Sequence, residues 1–335
     1  MTFNAAEHDL ILRQLAHCYG LAPDQLHCLT DNPADGVYGF TRHQQAFVIK
    51  FSDPAARSFA TLQSQVHWLD FLATEGAPVS PPVPSPQGVL VEKLPLENSL
   101  VSAVCYERAS GVRPAVPRLT AEEWQRWGQT VGKLHALSTV YTPPLDQPPL
   151  AQWDANVTQD RTTIPAEQTR VLEKFDALQR YFQTLPTDSQ VYGMIHGDFQ
   201  ANNLCLDHET FWVIDFDNCT YHWFLMDIAT SLYYSLWERP TDQSNVTFSA
   251  FVLENLWVGY AREYTLDVAW VERLPIFLKL IEMNTYIAIL AYNQAALQRD
   301  PASVPPKHRA LLTRYRDNIE QDVPYIESAY NPWAG

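Results

Sequence analysis

The sequence predicts an α+β chain, with a smaller, mainly antiparallel β region carrying one helix and a larger, mainly helical region. Three observations carry that prediction. Strand-like segments gather early, at Gln45-Ala46-Phe47-Val48-Ile49-Lys50-Phe51, Val89-Leu90-Val91-Glu92 and Val101-Ser102-Ala103-Val104-Cys105-Tyr106-Glu107. Beyond Asp227 the apolar spacing is helical almost to the end. Between these regions, Asn203-Leu204-Cys205-Leu206 and Phe211-Trp212-Val213-Ile214 flank a turn at Asp207-His208-Glu209-Thr210, the signature of a hairpin.

Taken in order, Leu10, Ile11, Gln14, Leu15 and Cys18 have helical spacing, and Gly20 supplies a stop. The strand at 45–51 follows, then a helix from about Ser58 to Thr74 and the two later strands. Leu119-Thr120-Ala121-Glu122-Glu123 contains a Thr-x-x-Glu capping box, which starts a helix running through Leu134-His135-Ala136-Leu137. The hairpin comes next. Four helical stretches close the chain: Ile228 to Trp237, Phe248 to Tyr264, Val268 to Leu297 with a break near Pro275, and Pro306 to Tyr325.

The 335 residues suffice for one large two-lobed unit or two domains, and 46% hydrophobic with 12% aromatic content supports a substantial core. Twelve of the 24 prolines cluster at 78–86, 143–149 and 301–306, as stiff connections do. Five scattered cysteines give neither a disulfide framework nor a zinc pattern. The first twenty residues lack a basic start and a continuous apolar stretch, so no signal peptide is expected and the expected compartment is cytoplasmic. No apolar run reads as long enough to span a bilayer, so no membrane association is expected. A net charge of −15 argues against nucleic acid as a partner, because that binding depends on Lys and Arg neutralising phosphates. The acidity is compatible with a cationic substrate, and more simply with solubility. Nothing in the sequence fixes the oligomeric state.

The chemistry concentrates in His196-Gly197-Asp198-Phe199-Gln200-Ala201-Asn202-Asn203 and Val213-Ile214-Asp215-Phe216-Asp217. Any one Asp or Asn here could be an ordinary turn residue. Together, with Asn203 five residues after Asp198 and Asp215 ending the return strand, they form a narrower pattern. Phosphoryl transfer asks a protein mainly for positioning and for charge neutralisation by a metal. An Asp can accept or share a hydroxyl proton, and a neutral Asn oxygen with a second Asp supplies hard ligands for Mg²⁺. The hairpin would bring Asn203 and Asp215 to one rim.

These residues resemble the aminoglycoside phosphotransferase and choline-kinase-like family, which has the protein-kinase fold. The stretches Tyr192 to Asp198, Ile214 to Cys219 and Phe224-Leu225-Met226-Asp227-Ile228-Ala229 look nearest to its bacterial branch of stress-response Ser/Thr kinases and homoserine-kinase-like proteins. The resemblance implies a kinase-like two-lobed fold, with residues 1–104 as a nucleotide-binding lobe, 105–109 as the hinge and 110–335 as the catalytic and substrate-binding lobe. It implies Asp198 as catalytic base, Asn203 and Asp215 as Mg²⁺ ligands, and Lys50 reaching the α- and β-phosphates of ATP. Backbone groups around Glu107 to Ala109 would meet adenine. Asp227 would brace the catalytic loop through its amides, His196 and His135 would pack, and Asp217 would assist a second metal or position the loop. The segment from Asp31 to Gly39 sits where a phosphate-covering loop belongs, although it lacks the usual glycines.

One departure stands out. The helix at 58–74 should carry a Glu for Lys50, and Gln65 occupies that place. Glutamine can hydrogen-bond the lysine but brings no charge. Phosphate alone then holds the lysine, or Glu75 or Glu92 substitutes, or activity is reduced. The implied reaction is ATP- and Mg²⁺-dependent phosphorylation of a small-molecule hydroxyl, on an amino alcohol, an amino acid such as homoserine, or an aminoglycoside. A protein Ser/Thr acceptor shares every motif, and Gln65 keeps a nucleotide-binding scaffold without turnover in view. Trp257, Tyr260, Glu282, Asn284, Tyr286 and Tyr292 are candidate acceptor contacts, the middle three as polar groups in an apolar helix.

Overall fold

A computed structural model describes residues 3–30, 36–54, 57–324 and 326–330. Most of the expected phosphate-covering loop, residues 31–35, lies outside the described residues, as does Tyr325. The helices are α1 (Ala5–Tyr19), α2 (Phe59–Thr74), α3 (Ala121–Ser138), α4 (Val157–Thr163), α5 (Thr169–Phe182), α6 (Leu225–Trp237), α7 (Asn245–Tyr260), α8 (Leu274–Tyr292), α9 (Gln294–Arg299) and α10 (Pro306–Gln321). The strands are β1 (His27–Cys28), β2 (Val37–Arg42), β3 (Gln45–Ser52), β4 (Pro82–Val83), β5 (Val91–Pro95), β6 (Leu100–Glu107), β7 (Tyr192–Ile195), β8 (Leu204–Asp207), β9 (Thr210–Val213) and β10 (Thr220–Trp223). The α+β class expected from the sequence is the one observed.

Contacts divide the chain into two units. The first comprises Met1–Val112, Val140–Leu150 and Leu204–Asp217. Its antiparallel sheet runs β1-β2-β3-β6-β4, with β5 also paired to β6. Alternation along β3 buries Phe47, Ile49 and Phe51 against Ile11, Leu15 and Tyr19 of α1. Each such side chain contributes about 1.5–3 kcal/mol by leaving water. The same alternation sends Lys50 to the opposite face. α1 forms where expected, capped by Asn4 with Glu7 and stopped by left-handed Gly20 at φ 65°. Its buried stripe is Ile11, Leu15, Ala16 and Tyr19, so Leu10 is left exposed. α2 starts at Ser58, whose side chain accepts from the Thr61 amide. The hairpin β8–β9 forms in the expected register, with Leu204 opposite Val213 and Asp207 opposite Thr210.

The second unit comprises Arg113–Thr139, Ala151–Asn203 and Asn218–Gly335. The Thr120–Glu123 capping box opens α3 as expected. β7 and β10 pair antiparallel, Ile195 opposite Thr220 and Tyr192 opposite Trp223. They lead into the His196 loop and into α6. The expected break near Pro275 is a change of helix type: a 3₁₀ turn spans Val268–Arg273, and Pro275 sits in the first turn of α8, where its missing N–H costs nothing. One expectation needs correction. Val268–Tyr292 is, by length and composition, long and apolar enough to cross a membrane. In this fold 56% of its most apolar window is buried, and α8 packs against α6 and α10 as a core helix.

Candidate active site

In the first unit, a cavity of about 310 Å³ is lined by Val48, Lys50, Ser80, Tyr106, Ala109 and the hairpin's end at Asp215 and Asp217. Lys50 Nζ donates to Asp215 Oδ1 at 2.9 Å and makes a short ion pair with Asp217 Oδ2. Burial works against the Lys50 charge, but Asp217 and Asp215 outweigh it and hold its pKa above the ordinary value. Asp217 is gripped on its other side. Arg57 Nη1 reaches Oδ1 at 2.6 Å and Arg57 Nη2 the main-chain oxygen at 3.3 Å. Burial pushes the Asp217 carboxyl up, yet Arg57 and Lys50 together hold it below the usual carboxylate range.

Gln65 does not pair with Lys50. Its Nε2 donates to the Asp217 carbonyl oxygen at 3.1 Å, while Oε1 is buried without a partner among the described residues. Nor does Glu75 or Glu92 substitute: Glu75 caps the end of α2, and Glu92 sits on β5 opposite Ala103. The lysine's carboxylates come from the hairpin end instead. Asp215 has a left-handed backbone, φ 62°, which for a residue with a Cβ costs roughly 1–3 kcal/mol and is typical of sites where geometry is imposed. At the end of β6, Ala109 lines the cavity. The Glu107 N–H donates to Pro81 O at 3.0 Å, and its carbonyl accepts from Ser80 Oγ.

In the second unit, the loop 196–203 is held from beneath. Asp227, fully buried in the first turn of α6, accepts from the His196 amide (Oδ2, 2.9 Å) and the Gly197 amide (Oδ1, 2.9 Å). His135 Nε2 lies 3.3 Å from the same Oδ2, and His135 Nδ1 lies 2.9 Å from Tyr260 Oη. Burial pushes the Asp227 carboxyl up, but His135 and the neighbouring His196 outweigh it and keep it below the usual range. Gly197 turns the loop at φ 80°, and a Cβ there would fall 2.2 Å from the Asn218 carbonyl oxygen. No other residue fits. His196 is buried and accepts the Asp198 amide on Nδ1 at 3.2 Å.

Asp198 Oδ1 accepts from Gln200 Nε2 at 2.8 Å. Asn203 Nδ2 bonds both Asp198 Oδ2 (2.8 Å) and Asp198 O (2.9 Å), which commits the amide nitrogen and leaves its carbonyl oxygen as the hard donor. Asp198 stands on the wall of a cavity of about 530 Å³, with Thr230 and Tyr234 from α6, Asn284 and Thr285 from α8, and His308 from α10. It is the one carboxylate among the described lining residues. Thr230 Oγ1 is buried there without a partner among the described residues.

Of the six acceptor contacts expected from sequence, Asn284 and Tyr292 line this cavity and the others do not. Helical phase is the reason. Ile281, Asn284, Thr285, Ala288, Ile289 and Tyr292 share one face of α8. Glu282 and Tyr286 turn inward, and the Tyr286 hydroxyl donates to Gln168 Oε1 at 2.6 Å. Tyr260 is taken by His135, and Trp257 stacks on Tyr260. Sequence reasoning missed Thr230 and Tyr234, which follow Met226 at four-residue steps and could have been found by extending the helical phase past Asp227. It missed Arg57 as well, which carries no motif.

Residues 35–267 match the family described as the phosphotransferase enzyme family. The chain belongs to that family. Over 321 residues, covering 94% of this chain and 92% of the relative, this phosphotransferase is 29% identical to an amicoumacin kinase of Bacillus subtilis (strain 168). Among solved structures it is similar to an amicoumacin kinase in complex with AMP-PNP, Ca²⁺ and Ami, with a TM-score of 0.88 and 27% identity covering 98% of this chain and 97% of the other. A microcompartment-associated aminopropanol kinase shares the fold, with a TM-score of 0.71 and 20% identity over 92% of this chain and 94% of the other. The family and the kinase-like fold implied by the sequence motifs are therefore those of this phosphotransferase.

Proposed function

We propose that this phosphotransferase moves the γ-phosphoryl group of ATP to a hydroxyl of a small molecule, with Asp198 as the base. The observation that carries the reading is the setting of Asp198. It lies on a loop clamped by a buried carboxylate, and it is the acid on the wall of a cavity large enough for a small molecule. Residues 1–104 then serve the nucleotide, 105–109 form the hinge and 110–335 carry the catalytic loop and the acceptor, with the segment Leu204–Asp217 joining the first unit to line the nucleotide cavity. Ala109, which lines the first unit's cavity, is the better candidate for adenine. The N–H and carbonyl of Glu107 are already bonded within the sheet region.

The donor set suits a hard divalent cation, taken here as Mg²⁺. Asn203 offers a carbonyl oxygen and Asp215 a half-exposed carboxylate with a single lysine contact. Among the described residues, no cluster of three or more His, Cys, Asp or Glu is placed to hold a metal alone. A cation that keeps waters and phosphate oxygens as ligands needs no more than one or two protein groups. When bound, it would neutralise charge on the phosphates. The protein's own part is positional: Lys50 holds phosphate oxygens, Asp198 orients the acceptor hydroxyl and takes its proton, and the clamp fixes Asp198. The similarity to amicoumacin kinases supports a small-molecule acceptor.

The test is an ATP-consumption screen over hydroxylated amines, amino acids and a generic protein substrate, with Asp198→Ala as the blank. Turnover should fall by about 10²–10⁴-fold in that variant. Asp215→Ala should abolish metal-dependent nucleotide binding. An acceptor phosphorylated equally fast by Asp198→Ala would refute the assignment.

A further inference from the structure

We propose that Asp217 takes the place of the missing helix glutamate as the fixed partner of Lys50, and that Arg57 and Gln65 serve to hold Asp217. This rests on the nucleotide reading of the first unit's cavity. Lys50 touches two carboxylates, and their surroundings differ. Asp215 has its side chain 42% exposed and, among the described residues, is hydrogen-bonded through that side chain to Lys50 alone. Asp217 is 29% exposed and tied at both ends: Arg57 bonds its carboxylate and its carbonyl oxygen, and Gln65 bonds the carbonyl again. Arg57 itself is only 15% exposed.

Asp215 is thus free to leave the lysine for a cation, and Asp217 is not. A carboxylate with two immobilised anchors keeps the ammonium in one place while its other partner changes role. The same geometry explains why glutamine can stand at position 65. The Asp217 carbonyl needs a donor there, which an amide provides and a carboxylate does not. Arg57 bonding both the carboxylate and the main chain gives the planar, multi-donor hold that a lysine could not. Asp217 is therefore a positioning residue acting through Lys50.

The experiment measures ADP binding by calorimetry, with Mg²⁺ and again in EDTA, on the full chain. A second-metal role for Asp217 would leave metal-free binding untouched. Positioning of Lys50 predicts that Asp217→Asn weakens ADP about ten- to a hundredfold in EDTA as well, the span of one charged hydrogen bond. Lys50→Met should weaken it similarly, and the double variant should bind no worse than Lys50→Met. Gln65→Glu, which leaves Asp217 in place, should weaken metal-free ADP binding and raise KM for ATP. Unchanged metal-free binding in Asp217→Asn, additive losses in the double variant, or tighter binding in Gln65→Glu would each overturn the proposal. Failure of the wild-type protein to bind ADP would instead overturn the nucleotide reading, and this one with it.

Discussion

Replacing Asp227 by Asn isolates the polar work of the loop clamp, because the side-chain volume is kept. Two carboxylate oxygens now receive the amides of His196 and Gly197, each at 2.9 Å, with His135 Nε2 at 3.3 Å from one of them. Asn has a single acceptor oxygen, so one main-chain N–H would face an NH₂ group in a fully buried site. An unpaired buried donor costs about 1–3 kcal/mol, and the surviving bond loses roughly 1 kcal/mol with the charge. The expected loss is about 3 kcal/mol, read from urea melts of both proteins at pH 7.

The pH dependence gives a second handle. The folded carboxyl lies below its ordinary value of about 3.9. Its contribution is therefore complete above that value and disappears as pH falls through the folded pKa. The gap between wild type and variant should be constant from pH 8 to 5 and close only in stronger acid. Turnover should fall as well, because a loop shift of about 1 Å can cost about 10²-fold. A variant within about 0.5 kcal/mol of wild type and fully active would refute the claim that this carboxylate holds the loop.

Two further outcomes are expected. His222 is buried among Trp153, Phe182, Trp223 and Phe277, and burial lowers its pKa to about 4. The unfolded chain takes up a proton near pH 6.5 that the folded one refuses, so stability falls as pH drops from about 6.5 towards 4, by up to about 3 kcal/mol. Urea melts at pH 7, 6 and 5 should show that slope in wild type and a shallower one in His222→Phe. Gly197→Ala would force a Cβ against the Asn218 carbonyl oxygen at a positive φ. It should cost about 1–3 kcal/mol in a thermal or urea melt and depress turnover with it.

The parts of the site written locally were the legible ones. β8–β9 follows from strand residues flanking a turn, whereas the part Asp227 plays under the loop comes from the family resemblance of Phe224 to Ala229. The strand β3 follows from alternation, and Lys50 is singled out on it by resemblance to the kinase lysine strand. What escaped the reading depends on partners distant in the chain. Gln65 looks like a defective ion-pair residue until the carbonyl of Asp217, 152 positions away, is placed beside its amide. Glu282 and Tyr286 looked like cleft residues because they are polar in an apolar helix, yet α8 turns both inward. The β2–β3 turn was hidden too: His43 and Gln44 adopt φ of 51° and 66° with neither a glycine nor an asparagine to announce it.

The face of α8 that lines the second cavity has a consequence for how such a protein diversifies. Asn284, Thr285, Ala288 and Tyr292 meet the cavity, whereas Leu278, Met283, Ile287 and Leu290 hold the helix in the interior. The two sets interleave along one rigid rod but answer to different demands. If that cavity receives the acceptor, as proposed, exchanges at the first set would redraw the shape and polarity offered to it while the packing that maintains the helix is left alone. One scaffold can in this way explore new hydroxyl-bearing compounds by single steps, each of them tolerated by the fold before it is useful.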